Sequence, residues 1–273
     1  MPNYDFKAFH SAMKKQVDDQ FLPSVSTALL RGSDVVDTFC YGFADKEAAT
    51  PLQEDHIFRM FSSTKLVTSC AVLMLFEEGR IKWDDPIEKY IPELGGRHVL
   101  KPGAISIDDV EPAKTQITIR HLMTHTSGLS YGLFDPGTIM FKAYNSAAVR
   151  HPGKSLSEMI TALSALPLAF HPGTQWEYSV ATDVLGRLVE VVSGESFGKF
   201  LSRRIFEPLG MTDTDFWVPE AKLKRLCAMY VGEDLLDPTK PGLHRADDKP
   251  FPGAYTKKLP LESGGGGLVS TLG

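Results

Sequence analysis

A hydroxyl and a primary amine one helical turn apart suffice for covalent acyl chemistry, and this chain offers that pairing three times. Ser11/Lys14, Ser62/Lys65 and Ser196/Lys199 each follow the Ser-x-x-Lys spacing, which sets both side chains on one helix face. A lysine held neutral takes the serine proton and leaves an oxygen able to attack a carbonyl. Chance alone produces such matches, so the neighbouring residues must discriminate among them. Ser11 lies within an amphipathic segment, where Lys14 and Lys15 are ordinary solvated charges. Ser196 follows Gly194 and reads as the cap of a new helix. Ser62 alone begins a strongly apolar helical run, directly after the extended stretch Ile57–Phe61. A helix start offers N–H groups to a developing oxyanion. The apolar residues beyond Lys65 would carry its amine into the protein, where burial disfavours the charged form. On this context alone, a capping serine beside a snorkelling lysine fits as well.

A second hydrolase pattern competes. Gly194-Glu195-Ser196-Phe197-Gly198 matches the G-x-S-x-G nucleophile elbow, and Asp213, Asp215, Asp234, Asp237 and then His244 follow in the order that mechanism needs. The elbow requires a buried strand before the serine. Here Val184, Leu185, Leu188, Val189 and Val192 fall on one helical face, and Glu190 would lie inside the strand. The match is therefore rejected, with Gly194 ending one helix and Ser196 capping the next. No histidine–glutamate arrangement has metal-ligand spacing, so no metal and no cofactor are expected.

The elements that must position Ser62 and Lys65 are legible in outline. Phe6, Phe9, Met13 and Val17 recur at helical spacing after Asp5, a plausible cap. Ser24–Leu30 and Val35–Tyr41 predict two strands joined by Arg31-Gly32-Ser33-Asp34. A helix is predicted over 62–79, and further helices over 118–125, 156–166, 182–193 and 196–206. Residues 95–117 and 131–155 read as loop-rich, and strand character returns at Asp213–Val218 and Leu226–Val231. This order suggests an α/β layer interrupted by a helical insertion.

Composition bounds the function classes. Hydrophobic residues at 42%, charged residues at 23% and a net charge of -5 suit a globular protein that binds no nucleic acid. No run approaches the roughly 18 apolar residues of a membrane span, and the N-terminus holds no signal-peptide core. Cys40, Cys70 and Cys227 have no paired spacing. Cys70 lies in the apolar helix and is expected as a buried free thiol, in a cytoplasmic protein without structural disulfides.

Five segments resemble one superfamily, in its order: FRMFSSTKLVTS around Ser62 and Lys65, IRHLMTHTSGLSYG from Ile119, HPGTQWEYSVATDVLGRLVEVVSG from His171, IFEPLGMTDTDFW from Ile205, and SGGGGLVST from Ser263. That superfamily comprises class C β-lactamases, DD-peptidases and their esterase relatives, and the chain looks most like the family VIII carboxylesterases. The resemblance implies an α/β (α+β) fold with an antiparallel sheet flanked by helices, plus a mainly helical domain. The expected division is 1–79 for the first part of the α/β domain, 80–206 for the helical domain and 207–273 for the return.

The resemblance also implies roles: Ser62 as nucleophile, Lys65 as its base or proton shuttle, and Tyr178 exchanging the proton with the leaving group. Trp176 would line the acyl pocket or belong to the core. His125 remains an alternative base, while His121, Thr126 and Ser127 look structural. Two departures matter. The family's Tyr-x-Asn, whose asparagine helps hold the substrate's amide, reads Tyr178-x-Val180, so Val180 is expected at that substrate-binding place; the only asparagines are Asn3 and Asn145, which favours ester substrates over β-lactams. The third motif, a Lys-Thr-Gly or equivalent strand, would lie beyond Gly273, so the chain is expected to be a truncated form of a longer parent. The predicted function is cleavage of small-molecule carboxylic esters through a Ser62 acyl-enzyme. A β-lactamase, a D-amino-acid peptidase or acyltransferase, and a non-catalytic ligand-binding homologue are the alternatives.

Overall fold

The structure, a computed structural model, describes residues 4–234, 237, 240–249 and 251–273. Its α-helices are α1 (Lys7–Asp18), α2 (Thr64–Glu77), α3 (Ile119–Met123), α4 (Ile139–Ser146), α5 (Leu156–Ser164), α6 (Ala181–Ser193) and α7 (Phe197–Leu201). Its strands are β1 (Ser24–Arg31), β2 (Asp34–Asp45), β3 (Thr50–Pro51), β4 (Phe58–Arg59), β5 (His98–Leu100), β6 (Val110–Pro112), β7 (Tyr230–Gly232), β8 (Leu243–Arg245) and β9 (Val269–Ser270). They fall into two compact units. One takes in residues up to 59 together with 213–258 and 269–273; the other comprises 60–212 and 259–268. Among the described residues, no helix is long and apolar enough to cross a membrane.

In the first unit β1 and β2 form an antiparallel hairpin closed by Arg31↔Asp34, with Gly32 at φ 64 supplying the left-handed turn. Pairing of β2 with β3 completes a three-stranded sheet in the order β1-β2-β3. Helix α1 carries the expected half-buried stripe of Phe6, Phe9, Met13 and Val17, and Asp5 Oδ1 accepts the Lys7 N–H at its start. Ile57, Val218 and Val269 form one core cluster, and Ala44, Leu52 and Cys227 another. The strand expected at Asp213–Val218 is reduced to a single bridge, Asp215↔Val269. Asp213 is instead tied to Lys222 and Arg225, and Pro219 follows. The strand expected over Leu226–Val231 begins only at Tyr230, because Leu226 bridges to Ile57.

In the second unit α6 is the hub, packed by α2, α3, α5 and α7. Its buried residues include Ala181, Val184, Leu185, Leu188 and Val189, the face expected from their spacing. Gly186 lets α5 and α7 approach, since a Cβ there would lie 3.3 Å from both Leu156 and Phe197. Helix ends follow cap chemistry. Ser155 and Glu158 form a capping box at α5, and Thr118 and His121 another at α3. Gly194 ends α6 in the left-handed region, and Ser196 Oγ accepts the Lys199 N–H to start α7. The G-x-S-x-G serine is thus a helix cap.

Two expectations need correction here. The stretch 131–155 contains α4, started by Thr138 Oγ1 accepting from Phe141 N and anchored by buried Met140 and Tyr144. Glycine and proline on its flanks mask that helix in the sequence. Cys70 is exposed. Helix α2 buries Thr64, Thr68, Ala71, Val72 and Leu75, a face of small residues that admits α6 closely. The bulkier apolar residues Leu66 and Leu73 share Cys70's exposed side, at 72% and 42% exposure.

Candidate active site

The backbone reaches Ser62 through Phe61, a non-glycine residue at φ 41, a sparsely populated conformation that surrounding contacts must hold. Those contacts come from a glycine-rich segment near the end of the chain. Met60 N donates to Leu268 O at 2.9 Å. Leu268 N donates to Thr64 Oγ1 at 3.1 Å, and Thr68 Oγ1 donates to Gly264 O at 2.8 Å. The 3-10 turn Phe61–Ser63 is thereby pinned, and it presents an exposed Ser62 at the start of α2.

Ser62 Oγ lies 2.7 Å from the Tyr178 hydroxyl. Lys65, on the next turn, stands with Nζ 4.6 Å from the centroid of the Tyr178 ring and 5.9 Å from that of Tyr131. Its ammonium donates to Gly265 O at 2.5 Å. The structure thus brings together Ser62, Lys65 and Tyr178, with the tyrosine as the serine's hydrogen-bond partner and the lysine on the ring's face. A cation placed there compensates negative charge that develops on the phenol oxygen.

The Gly265 carbonyl is itself positioned. Asp183, in the first turn of α6 and only 1% exposed, accepts from Ser263 Oγ at 2.5 Å and from Gly265 N at 3.0 Å through Oδ1. Its Oδ2 is buried and has no hydrogen-bond partner among the described residues. Side chains are excluded at the first two glycines of this turn. A Cβ on Gly264 would meet Thr182 O at 2.5 Å, and one on Gly265 would meet Asp183 Oδ2 at 2.7 Å. Gly264 and Gly265 are therefore sterically required, whereas a Cβ on Gly266 would meet nothing closer than 3.7 Å.

His125 stacks on Tyr178, with centroids 5.0 Å apart. Its Nδ1 accepts the Ser179 N–H at 3.2 Å and lies 3.1 Å from Ser179 Oγ, which leaves the proton of the neutral ring on Nε2. Burial, aided by the Lys65 cation, holds this imidazole below its ordinary value. His125 therefore braces the Tyr178 ring with the nitrogen that a base would need already engaged. His121 is occupied in its capping box.

Trp176 is 67% exposed and meets His125 edge-on, so it stands on the rim rather than in the core. Val180 is completely buried at the start of α6, where its N–H donates to Ser130 O. Its side chain offers no surface to a bound molecule, contrary to the substrate-binding place expected for it. Tyr131 and Phe134 complete an aromatic wall, their ring centroids 5.4 and 5.9 Å from that of Tyr178. Asp183, Ser263, Gly265, Tyr131 and Phe134 are additions to the residues expected from sequence. The glycine run after Ser263 pointed towards Ser263 and Gly265, and the resembling segments contained Tyr131 and Asp183, whereas nothing pointed to Phe134.

Comparison with known proteins bears on the family and the fold. The sequence model of the family described as Beta-lactamase matches residues 9–273. The chain is 37% identical over 176 residues to esterase EstB of Burkholderia gladioli, covering 64% of this chain and 42% of that protein. It is 33% identical over 215 residues to the lovastatin esterase of Penicillium rubens, covering 74% and 52% respectively. The solved structure of EstCE1, a hydrolase with promiscuous acyltransferase activity, superposes with a TM-score of 0.80 at 22% identity, over 97% of this chain and 69% of that one. This last likeness speaks to the fold alone. The chain spans about half the length of the curated relatives it matches.

Proposed function

We propose, on the premise that this chain belongs to the Beta-lactamase family, that it is a serine hydrolase cleaving small carboxylic esters through an acyl-enzyme on Ser62. The observation that carries the reading is the 2.7 Å contact between Ser62 Oγ and the Tyr178 hydroxyl, with the Lys65 ammonium over that tyrosine's ring. In the proposed first step Lys65 has taken the Tyr178 phenol proton, and the resulting phenolate, paired with the Lys65 ammonium, takes the Ser62 proton while Oγ attacks the ester carbonyl. Negative charge on the carbonyl oxygen is met by N–H groups at the start of α2. Collapse of the tetrahedral adduct breaks the bond to the alcohol, which leaves with the proton held by Tyr178. Water then attacks the acyl-enzyme, giving one proton to Tyr178, which returns it to Ser62 Oγ as the acid departs.

Ester rather than β-lactam substrates are supported by the side chains around Tyr178. Val180 occupies the place at which the family's amide-holding asparagine would stand, and it is buried. The exposed aromatic rim of Phe134 and Trp176 suits short acyl or aryl groups. The proposed setting is the cytoplasm, because three free cysteines, one of them exposed, suit a reducing compartment.

Intact-mass analysis after a fluorophosphonate or a short p-nitrophenyl ester tests the proposal. One adduct is expected, located on the Ser62 peptide and absent from Ser62→Ala. Tyr178→Phe should keep the fold and slow turnover by about 10²–10⁴-fold, the range for a lost general acid–base. Equal labelling of Ser62→Ala and the unaltered protein would sink the reading.

A further inference from the structure

A second cation stands over the aromatic wall of this site. The Arg150 guanidinium lies 4.5 Å from the centroid of the Tyr131 ring, the same ring that Lys65 approaches at 5.9 Å. The two cations differ in their partners. Lys65 is engaged by the Gly265 carbonyl, whereas no carboxylate or carbonyl among the described residues takes a hydrogen bond from exposed Arg150. Stacking on an aromatic face leaves the guanidinium N–H groups directed outward in their plane, the geometry that a carboxylate accepts in bidentate fashion.

The backbone beneath Arg150 is fixed. Val149 is buried and donates its N–H to Tyr144 O at 3.1 Å, and His151 N donates to Ala148 O at 3.2 Å. Lys154 Nζ donates to the carbonyls of Ala147 and Ala148, both at 3.0 Å. Buried Tyr144 also accepts the Ser130 N–H at 2.9 Å through its hydroxyl, which ties this turn to the segment bearing Tyr131. Between the guanidinium and Ser62 run the rings of Tyr131 and Tyr178, with Phe134 packed against both. Tyr131 itself is buried, so a chain leading from the scissile carbonyl would run over half-buried Tyr178 and exposed Phe134 and would meet a cation at its end.

We propose that Arg150 is a specificity-determining residue that binds the carboxylate of an ester substrate carrying one remote from the bond to be cleaved. The proposal rests on the esterase reading above and names the substrate class: half-esters of dicarboxylic acids and similar anionic esters, preferred over neutral ones.

The test compares p-nitrophenyl half-esters of glutaric and suberic acid with their methyl-capped, uncharged diesters. The unaltered protein is expected to favour one of the anionic members by roughly tenfold in kcat/KM, mostly through KM, as a single exposed charge-assisted contact allows. That ratio should shrink as salt is added, collapse in Arg150→Gln and survive in part in Arg150→Lys. An unchanged ratio in Arg150→Gln overturns the proposal while leaving the esterase reading intact. Should neither ester turn over, calorimetric titration with monomethyl suberate still decides. Binding that Arg150→Gln abolishes upholds the carboxylate site while the esterase reading fails; binding indifferent to Arg150, or none, overturns the site as well.

Discussion

Replacing Asp183 by alanine probes the device that holds the Lys65 amine in place. The carboxylate is 1% exposed and accepts from Ser263 Oγ and Gly265 N. Hydrogen bonds to a charged group contribute about 1.5–3 kcal/mol each, so losing both costs about 3–6 kcal/mol. Relief of the buried, unpartnered Oδ2 offsets about 1–3 kcal/mol of that. The net expectation is a loss centred on about 2.5 kcal/mol, within about 0–5 kcal/mol, read as a lower urea midpoint at unchanged slope. Asp183→Asn should fall between the two, because its carbonyl can keep the Oδ1 contacts while its NH2 enters a place with no acceptor. Turnover of a short p-nitrophenyl ester, measured where each variant is fully folded, should drop further than stability alone dictates. The Gly265 carbonyl anchors Lys65, and a displacement of about 1 Å in such a group can cost about 10²-fold. Ser263→Ala removes one donor and should show the same pattern, weaker. An Asp183→Ala variant with both its urea midpoint and its turnover intact would refute the argument.

Two further predictions concern neighbouring residues. Burial and the Lys65 cation hold His125 below its ordinary 6.5, so between that value and the lower folded one the unfolded chain binds more protons. The stability contribution of a neutral His125 is therefore complete above about 6.5 and is lost as pH falls through this window. His125→Phe should flatten the drop in Tm between pH 7.5 and 5.5; an equally steep drop in both proteins would contradict this. Glu177, pushed up by burial, contributes the opposite slope above its ordinary 4.5 in both proteins and cancels in the comparison. Ser196→Ala should lower stability by about 1 kcal/mol through loss of the α7 cap while leaving covalent labelling at Ser62 unaltered. Loss of labelling in that variant would reinstate the G-x-S-x-G serine as the nucleophile.

Ser62 was legible because a Ser-x-x-Lys match coincided with an extended stretch and an apolar helix, a conjunction of local signals. Helices α5, α6 and α7 were legible for the same reason, their ends marked by Ser155, Gly194 and Ser196. Cys70 was misplaced because α2 is apolar nearly all round, so periodicity could not tell which face α6 would cover. The covered face is set by the small residues Thr64, Thr68 and Ala71. Helix α4 was hidden by Gly132, Pro136 and Gly137, which signal loop although Thr138 caps a helix immediately after them. Asp183 left no local trace, since its partners lie 80 and 82 positions away along the chain. The same holds for Arg150 and Tyr131, whose two segments are both bonded to Tyr144. Chemistry that depends on one helix can be read from a line of residues; chemistry that depends on a fold returning to itself cannot.

The carbonyl that anchors Lys65 has a consequence for the order of events during synthesis. It belongs to a residue 200 positions downstream of the lysine it holds. At about 5–20 residues per second, roughly 10–40 s separate the appearance of the amine from that of its anchor. Throughout that interval the ribosome-bound polypeptide carries Ser62 and Lys65, and later Tyr178, without the turn that fixes the amine or the strap across Thr64 and Thr68. The reactive assembly is thus timed by chain growth, and the nucleophile emerges long before it is armed.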